Sequence, residues 1–212
     1  MDYFEEFGFK APKQQRAIKT VEEIIKAMEE LSRSGDLEEV GTRELSEHSG
    51  HSIGSIFHHF KKFEDIYLYI FLLKRRKGIE KLADIINQHP SDQPLRVLMS
   101  HLIKSIIDDL SRPPRKILSH VIHQYLKRAK VKALLDIESD SLIPLIIKVS
   151  QQDKTNTFHN FNENELTLRI RTIHSITWSP FLEEDPIAGT NEHLEMAINL
   201  ATQLFTAPVL RN

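Results

Sequence analysis

Apolar residues recur at three- and four-residue steps over nearly the whole chain, and this spacing restricts the fold more than any other feature. Ile18, Val21, Ile24, Ile25, Met28 and Leu31 share one side of a helix expected from about Lys13 to Ser32, with Gly35 past its end. Ile66, Ile70, Leu73, Ile79, Leu82 and Ile86 do the same along a longer helix expected from about Phe63 to Asn87, which "HPSDQP" closes. Further helices are expected at about 94–110, 113–129, 141–151, 163–178 and 190–206, divided by "SRPP", "TNTFHNFNEN" and "SPFLEEDPIAG". Pro144 fits its helix if Ser141 is the cap, because the first turn offers no partner for the N–H that proline lacks. Period-two alternation bounded by turns is scarce, so the expected class is all-α.

Composition removes several functions. The 212 residues suffice for one large domain or a small domain joined to a larger one, and 40% hydrophobic residues suffice for a core. With no cysteine there is no disulfide framework, thiolate nucleophile or cysteine-ligated zinc, which fits a reducing cytosol. The N-terminal "MDYFEEFGFK" is acidic and lacks a basic region followed by an apolar run, and no stretch approaches the ~18 apolar residues of a membrane span, so a cytoplasmic protein without a membrane partner is expected. Lys and Arg number 28 against 30 acidic residues, so any contact with nucleic acid must be local. A glycine-rich phosphate loop, a G-x-S-x-G elbow and a metalloprotease helix are all missing, and neither enzyme activity nor a cofactor is expected.

Between the two long helices the pattern changes. A helix of about two turns ends at "SG" and a second short one runs from Ser52 to about His59. Gly41 or Thr42 can cap the first; Gly41 is favoured because Glu44, three residues on, can reach back to it. Leu45, Ile56 and Phe60 can pack beneath a turn made at Gly50, which is the arrangement of a helix-turn-helix. That packing leaves Ser52, Ile53, Gly54, Ser55, His58 and His59 for the open face.

The stretch "GTRELSEHSGHSIGSIFHHFKKFEDI" resembles the DNA-binding signature of the TetR family of transcriptional regulators. Leu45–Ser46, Gly50–His51–Ser52, Gly54–Ser55, Ile56–Phe57, His59–Phe60 and Glu64–Asp65 fill the places of that pattern, and the likeness covers about residues 12–70. It implies a three-helix helix-turn-helix domain over residues 1–66 and a helical dimerisation and effector-binding domain over 67–212. It further implies a homodimer on double-stranded operator DNA, with Ile53, Gly54 and Ser55 near the bases. Thr42, Arg43, Ser52, His58, His59, Lys61 and Lys62 complete the expected DNA-binding set. The expected role is a repressor released by a small-molecule effector. Two positions depart from the pattern, Phe57 for the usual Tyr and Phe63 for the usual Lys, and both usual residues contact phosphate. The competing expectation is therefore a helical dimeric ligand- or protein-binding module with weakened or lost DNA binding.

His48, His51, His58 and His59 are not expected to hold a metal, because zinc needs three or four converging ligands and His58 and His59 are adjacent on a helix. His120 and His123, with His101 or His174, have the spacing of a metal or polar cavity and equally of helix-edge or exposed histidines. The resemblance adds the lining of an effector pocket, a set that Tyr125, Phe158 and Trp178 join unless they are ordinary core. "KRRK" at residues 74–77 is expected to be a solvated face. For the dimer interface the expected stripes are Leu166, Ile170 and Ile173, and Leu194, Ala197, Ile198, Ala201, Leu204 and Phe205; either is also compatible with ordinary core. Residues 1–60 hold 7 basic and 12 acidic side chains. Each phosphate contact forgone flattens the log–log salt dependence of DNA affinity by about one. A salt titration is therefore expected to give a shallow slope; a slope of many units would contradict the charge count.

Overall fold

A computed structural model of the chain describes residues 12–34, 40–112 and 138–206, and every regular element among them is an α-helix. The expected helix at 113–129 lies outside the described residues. The elements are α1 (Gln15–Ser34), α2 (Thr42–Ser49), α3 (Ile53–His59), α4 (Glu64–Asn87), α5 (Leu95–Ser111), α6 (Ile143–Gln152), α7 (Glu163–Leu182) and α8 (Asn191–Thr206). The described residues separate into two compact units, divided inside α4 between Arg75 and Arg76.

The first unit is built on the apolar face of α1. Val21, Ile24, Ala27 and Met28 are buried there, while Ile18, Ile25 and Leu31 flank them half-buried. Leu45 of α2, Ile56 of α3, Phe60 at the end of α3 and Ile66 of α4 are fully buried in the same unit. Lys74, in the "KRRK" run, reaches Glu29 of α1 at 3.1 Å, so this part of the run is paired within the unit.

The second unit centres on α5, whose Leu95, Leu98, Met99, Ile103 and Ile107 are buried. Helix α8 packs against α5 and α7, α7 also packs on α5, and α6 packs on α7. Ser141 does not cap α6: its Oγ donates to the Glu138 carbonyl at 2.6 Å and Leu142 is the cap residue, with Pro144 accommodated in the first turn as its missing N–H requires. After α6, the Asp153 carboxylate accepts from the Thr155, Thr157 and Phe158 N–H groups and from the Thr155 hydroxyl. Desolvation alone would raise its pKa; the hydrogen bonds outweigh that and hold it below the usual carboxylate value. This loop also caps α5, since Thr157 Oγ1 accepts the Leu95 N–H at 2.8 Å where the N-cap Pro94 supplies no side-chain acceptor.

Helix α7 does not stop near Trp178 as the Pro180 signal suggests but continues through the proline to Leu182. Proline in a helix interior removes one N–H and orphans the carbonyl four residues before it. That carbonyl belongs to Ile176, and it is taken by Nε2 of the buried His193 on α8, 3.0 Å away. The ring's other nitrogen, Nδ1, accepts the Gly189 N–H at 3.2 Å. Because Gly189 can only donate, Nδ1 must be the acceptor and the proton sits on Nε2. Gly189 itself has φ of 74°, and a Cβ there would lie 2.8 Å from Ser111 Oγ, so the connection admits only glycine without rearrangement.

The two C-terminal stripes are largely core rather than free surface. Leu166, Ala197, Ile198, Ala201 and Phe205 are buried within the chain itself, and Ile170, Ile173, Leu194 and Leu204 are half-buried. These apolar stripes are satisfied by packing of α8 on α5 and α7 before any second copy is considered. Among the described residues of this unit, the exposed large apolar side chains are instead Leu168 on α7 and Met196 and Leu200 on α8.

His193→Phe keeps an aromatic ring, a somewhat larger one, but strands the Ile176 carbonyl and the Gly189 N–H. Each buried unsatisfied group costs about 1–3 kcal/mol, so chemical denaturation should show a loss of about 2–6 kcal/mol. An unchanged midpoint would contradict the assigned role of His193.

Candidate nucleic-acid interface

Helix α2 begins as the Glu44 spacing suggests. Gly41 is the N-cap, its N–H donates to Glu44 Oε2 at 3.3 Å, and Leu45 donates back to the Gly41 carbonyl at 3.1 Å. The helix ends at Gly50, whose φ of 70° and ψ of 11° lie in the left-handed region. A Cβ at Gly50 would meet nothing within 4 Å, so conformation rather than space selects glycine there. The turn is tightened by Ser46 Oγ, which donates to the His51 carbonyl at 2.7 Å. Ser52 then caps α3: its Oγ accepts the Ser55 N–H at 3.2 Å and its carbonyl accepts the Ile56 N–H at 3.0 Å.

Two of the four clustered histidines hold this module to α1. His48 Nε2 lies 3.0 Å from Glu30 Oε2, and His51 Nε2 lies 2.9 Å from Glu23 Oε2. The same carboxylates face Lys26 at 3.9 Å and Lys19 at 3.8 Å on the next turn of α1. These pairs span 18 and 28 residues, and nothing in the local sequence announces them. Among the described residues no group of three His, Asp or Glu side chains can hold a metal ion.

With Ile56 and Phe60 turned inward, α3 exposes Ser52, Ile53, Gly54, Phe57 and His58, and leaves Ser55 half-buried. His59 departs from expectation: it is buried, at 8% exposure, instead of lying on the open face. The reason is the helical repeat, since a residue three after Ile56 shares its face. The His59 ring meets His58 edge-on at 5.1 Å.

Around this helix stand the expected phosphate-binding groups. Thr42 is half-buried at the start of α2, and Arg43 is exposed with its Nε 3.0 Å from Glu47 Oε1. An exposed pair of this kind is worth about 0–1 kcal/mol, so it can be exchanged for another anion at little cost. Lys61 and Lys62 are exposed in the bend before α4, where the Lys62 N–H donates to Asp65 Oδ2 at 3.1 Å. Phe63 packs edge-on against Tyr67 at 5.8 Å between centroids. Burial first, and then the Glu64 carboxylate, push the Tyr67 phenol up to about 12.

The expected effector set is placed only in part, for His120, His123 and Tyr125 lie outside the described residues. His174 stacks on Trp178 with centroids 4.6 Å apart and planes at 22°, one turn apart on α7. Phe158 contacts His89 at 6.1 Å, and the exposed His101 is near enough to disfavour a charge on His89. Desolvation is the main cause holding the His89 pKa below its usual value, against the opposing bond to the Gln93 carbonyl at 3.1 Å.

No family model matches this chain, and no curated protein matches it. Solved structures do. A TetR-family transcriptional regulator from Streptomyces coelicolor aligns over 88% of this chain and 79% of its own with a TM-score of 0.61 and 16% identity. A TetR-family regulator from Mesorhizobium loti MAFF303099 aligns over 92% of this chain and 100% of its own, with a TM-score of 0.63 and 12% identity. The multidrug binding protein EbrR, solved with imidazole, aligns over 94% and 100% with a TM-score of 0.52 and 16% identity. At these identities the likeness concerns architecture: a short helix-turn-helix module followed by a larger helical unit. The chain therefore has the fold of the TetR-family transcriptional regulators.

Proposed function

We propose that this protein is a sequence-specific DNA-binding regulator of transcription in the cytoplasm, a repressor released from its operator by a small-molecule effector. The observation that carries the reading is the presentation of α3. It projects from the Gly50 turn with Ser52, Ile53, Gly54, Phe57 and His58 exposed, in a stretch from residue 48 to 63 that holds no carboxylate and ends in the exposed Lys61 and Lys62. A polyanion fits that local charge although the whole chain is slightly acidic.

In this reading α3 enters the major groove, with Ile53, Gly54 and Ser55 closest to the bases. Thr42, Arg43, Ser52, His58, Lys61 and Lys62 position the module on sugar and phosphate. The buried His59 supports α3 from beneath. Two copies of the chain place two recognition helices in successive grooves. Among the described residues, the exposed Leu168, Met196 and Leu200 of α7 and α8 are apolar side chains available to join those copies. Residues 1–66 thus bind the operator and residues 67–212 dimerise and take the effector, a role supported by the multidrug-binding description of one structural neighbour. Effector binding shifts the population towards a spacing of recognition helices that no longer fits. The second reading, a helical dimer with weakened or lost DNA binding, is favoured by one observation: exposed Phe57 offers no hydroxyl to phosphate.

Selection from random duplexes separates the two, the first reading predicting an enriched palindrome. Gly54→Ala then probes the interface. A Cβ there meets only Ser52 Oγ, at 4.0 Å, and alanine is a better helix former by about 1 kcal/mol, so the free protein keeps its stability. Binding to the enriched duplex should weaken about tenfold, the scale of one extra methyl in a close-packed contact. Unchanged affinity would contradict the close approach at Gly54, and no enrichment at low salt would favour the second reading.

A further inference from the structure

We infer that α3 reads thymine methyl groups in the major groove through Ile53 and Phe57. The inference rests on the DNA-binding reading above and adds what the operator must contain.

The residue types exclude the commonest codes first. Helix α3 is IGSIFHH, without Arg, Lys, Asn or Gln, so it has none of the side chains that read guanine or adenine with paired hydrogen bonds. What it offers outward is mostly apolar. Ile53 is 44% exposed and Phe57 41%, and their four-residue offset places both on one face of the helix. The inward face is already filled by Ile56, His59 and Phe60. Of its polar groups, Ser52 Oγ is engaged as an acceptor by the Ser55 N–H.

A large exposed apolar pair calls for an apolar partner, whereas the surrounding charge calls for an anionic one. Residues 48–63 carry two lysines, four histidines and no carboxylate. Both demands meet on duplex DNA, where the C5-methyl of thymine is the apolar group on the major-groove edge of a polyanion. The distance is also suitable. Four residues of helix rise about 6 Å, and base pairs stack about 3.4 Å apart, so the two side chains reach methyl groups within about two base-pair steps of each other. Each half-site should therefore hold two thymines at that separation, on either strand.

Replacing thymine by deoxyuridine removes the C5-methyl and leaves base pairing intact. On the palindromic duplex returned by selection with the full chain, each thymine is replaced in turn, symmetrically in both half-sites. At the contacted positions affinity should fall about fourfold for each buried methyl lost, or roughly fifteenfold for the symmetrical pair. Ile53→Ala and Phe57→Ala change exposed positions and leave the core intact; each should bind thymine and uracil duplexes alike at the position it reads. That loss of discrimination separates direct contact from an effect of the methyl on DNA shape. Equal affinity of the unaltered protein for every uracil duplex, or discrimination that persists in both variants, overturns the inference while leaving DNA binding standing. If no duplex is enriched, the DNA-binding reading fails and this inference fails with it.

Discussion

The left-handed turn at Gly50 fixes everything that α3 can do. With φ at 70° the chain turns between Ser49 and Ser52, and Leu45, Ile56 and Phe60 are fully buried beside it. A residue with a Cβ pays about 1–2 kcal/mol to occupy that conformation. Once the turn is set, the faces of α3 are no longer free to choose: Ile56, His59 and Phe60 go in, and Ile53, Gly54, Phe57 and His58 go out. The His48–Glu30 and His51–Glu23 contacts then tie the C-terminal end of α2 and the turn to α1, so that the short helices are held at three points rather than by their small core alone.

A comparable exchange of constraints organises the second unit. Pro180 takes one hydrogen bond from α7, and His193 restores it from α8 while accepting a bond from Gly189. The proline is thus tolerated inside the helix because a buried ring on the neighbouring helix satisfies what it leaves open. The cost is strictness, for Gly189 must stay small against Ser111 and His193 must keep its proton on Nε2.

Much of this was legible in the amino-acid sequence, because the informative signals are local. Apolar periodicity located the described helices to within about two residues, apart from the end of α7. The Gly41–Glu44 and Gly50 signals marked the ends of α2, and the "GTRELSEHSGHSIGSIFHHFKKFEDI" pattern pointed to the fold that the solved structures share. What escaped is what depends on distant partners. His59 is read as exposed from its place in a motif but as buried from its three-residue offset to Ile56. Glu23 and Glu30 look like ordinary surface charges until α2 is packed on α1. Ala197, Ala201 and Phe205 have the spacing of an interface and of a core alike, and only the placement of α5 and α7 decides for core. The expected effector residues carry no local mark of convergence, since they are aromatic and histidine side chains far apart in the sequence.

In the proposed reading, local charge is what lets a slightly acidic chain address DNA. Glu30, Glu23, Glu47 and Glu29 of the first unit are drawn into pairs with His48, His51, Arg43 and Lys74, while residues 48–63 around α3 hold only cationic and neutral groups. The central claim is that two copies of that segment occupy major grooves on one side of a duplex. Hydroxyl-radical footprinting of the selected duplex tests it most directly. Two protected segments, symmetric about a dyad and separated by about one helical turn or a multiple of it, are the result the account predicts. A single protected patch, or uniform protection without register, would contradict it.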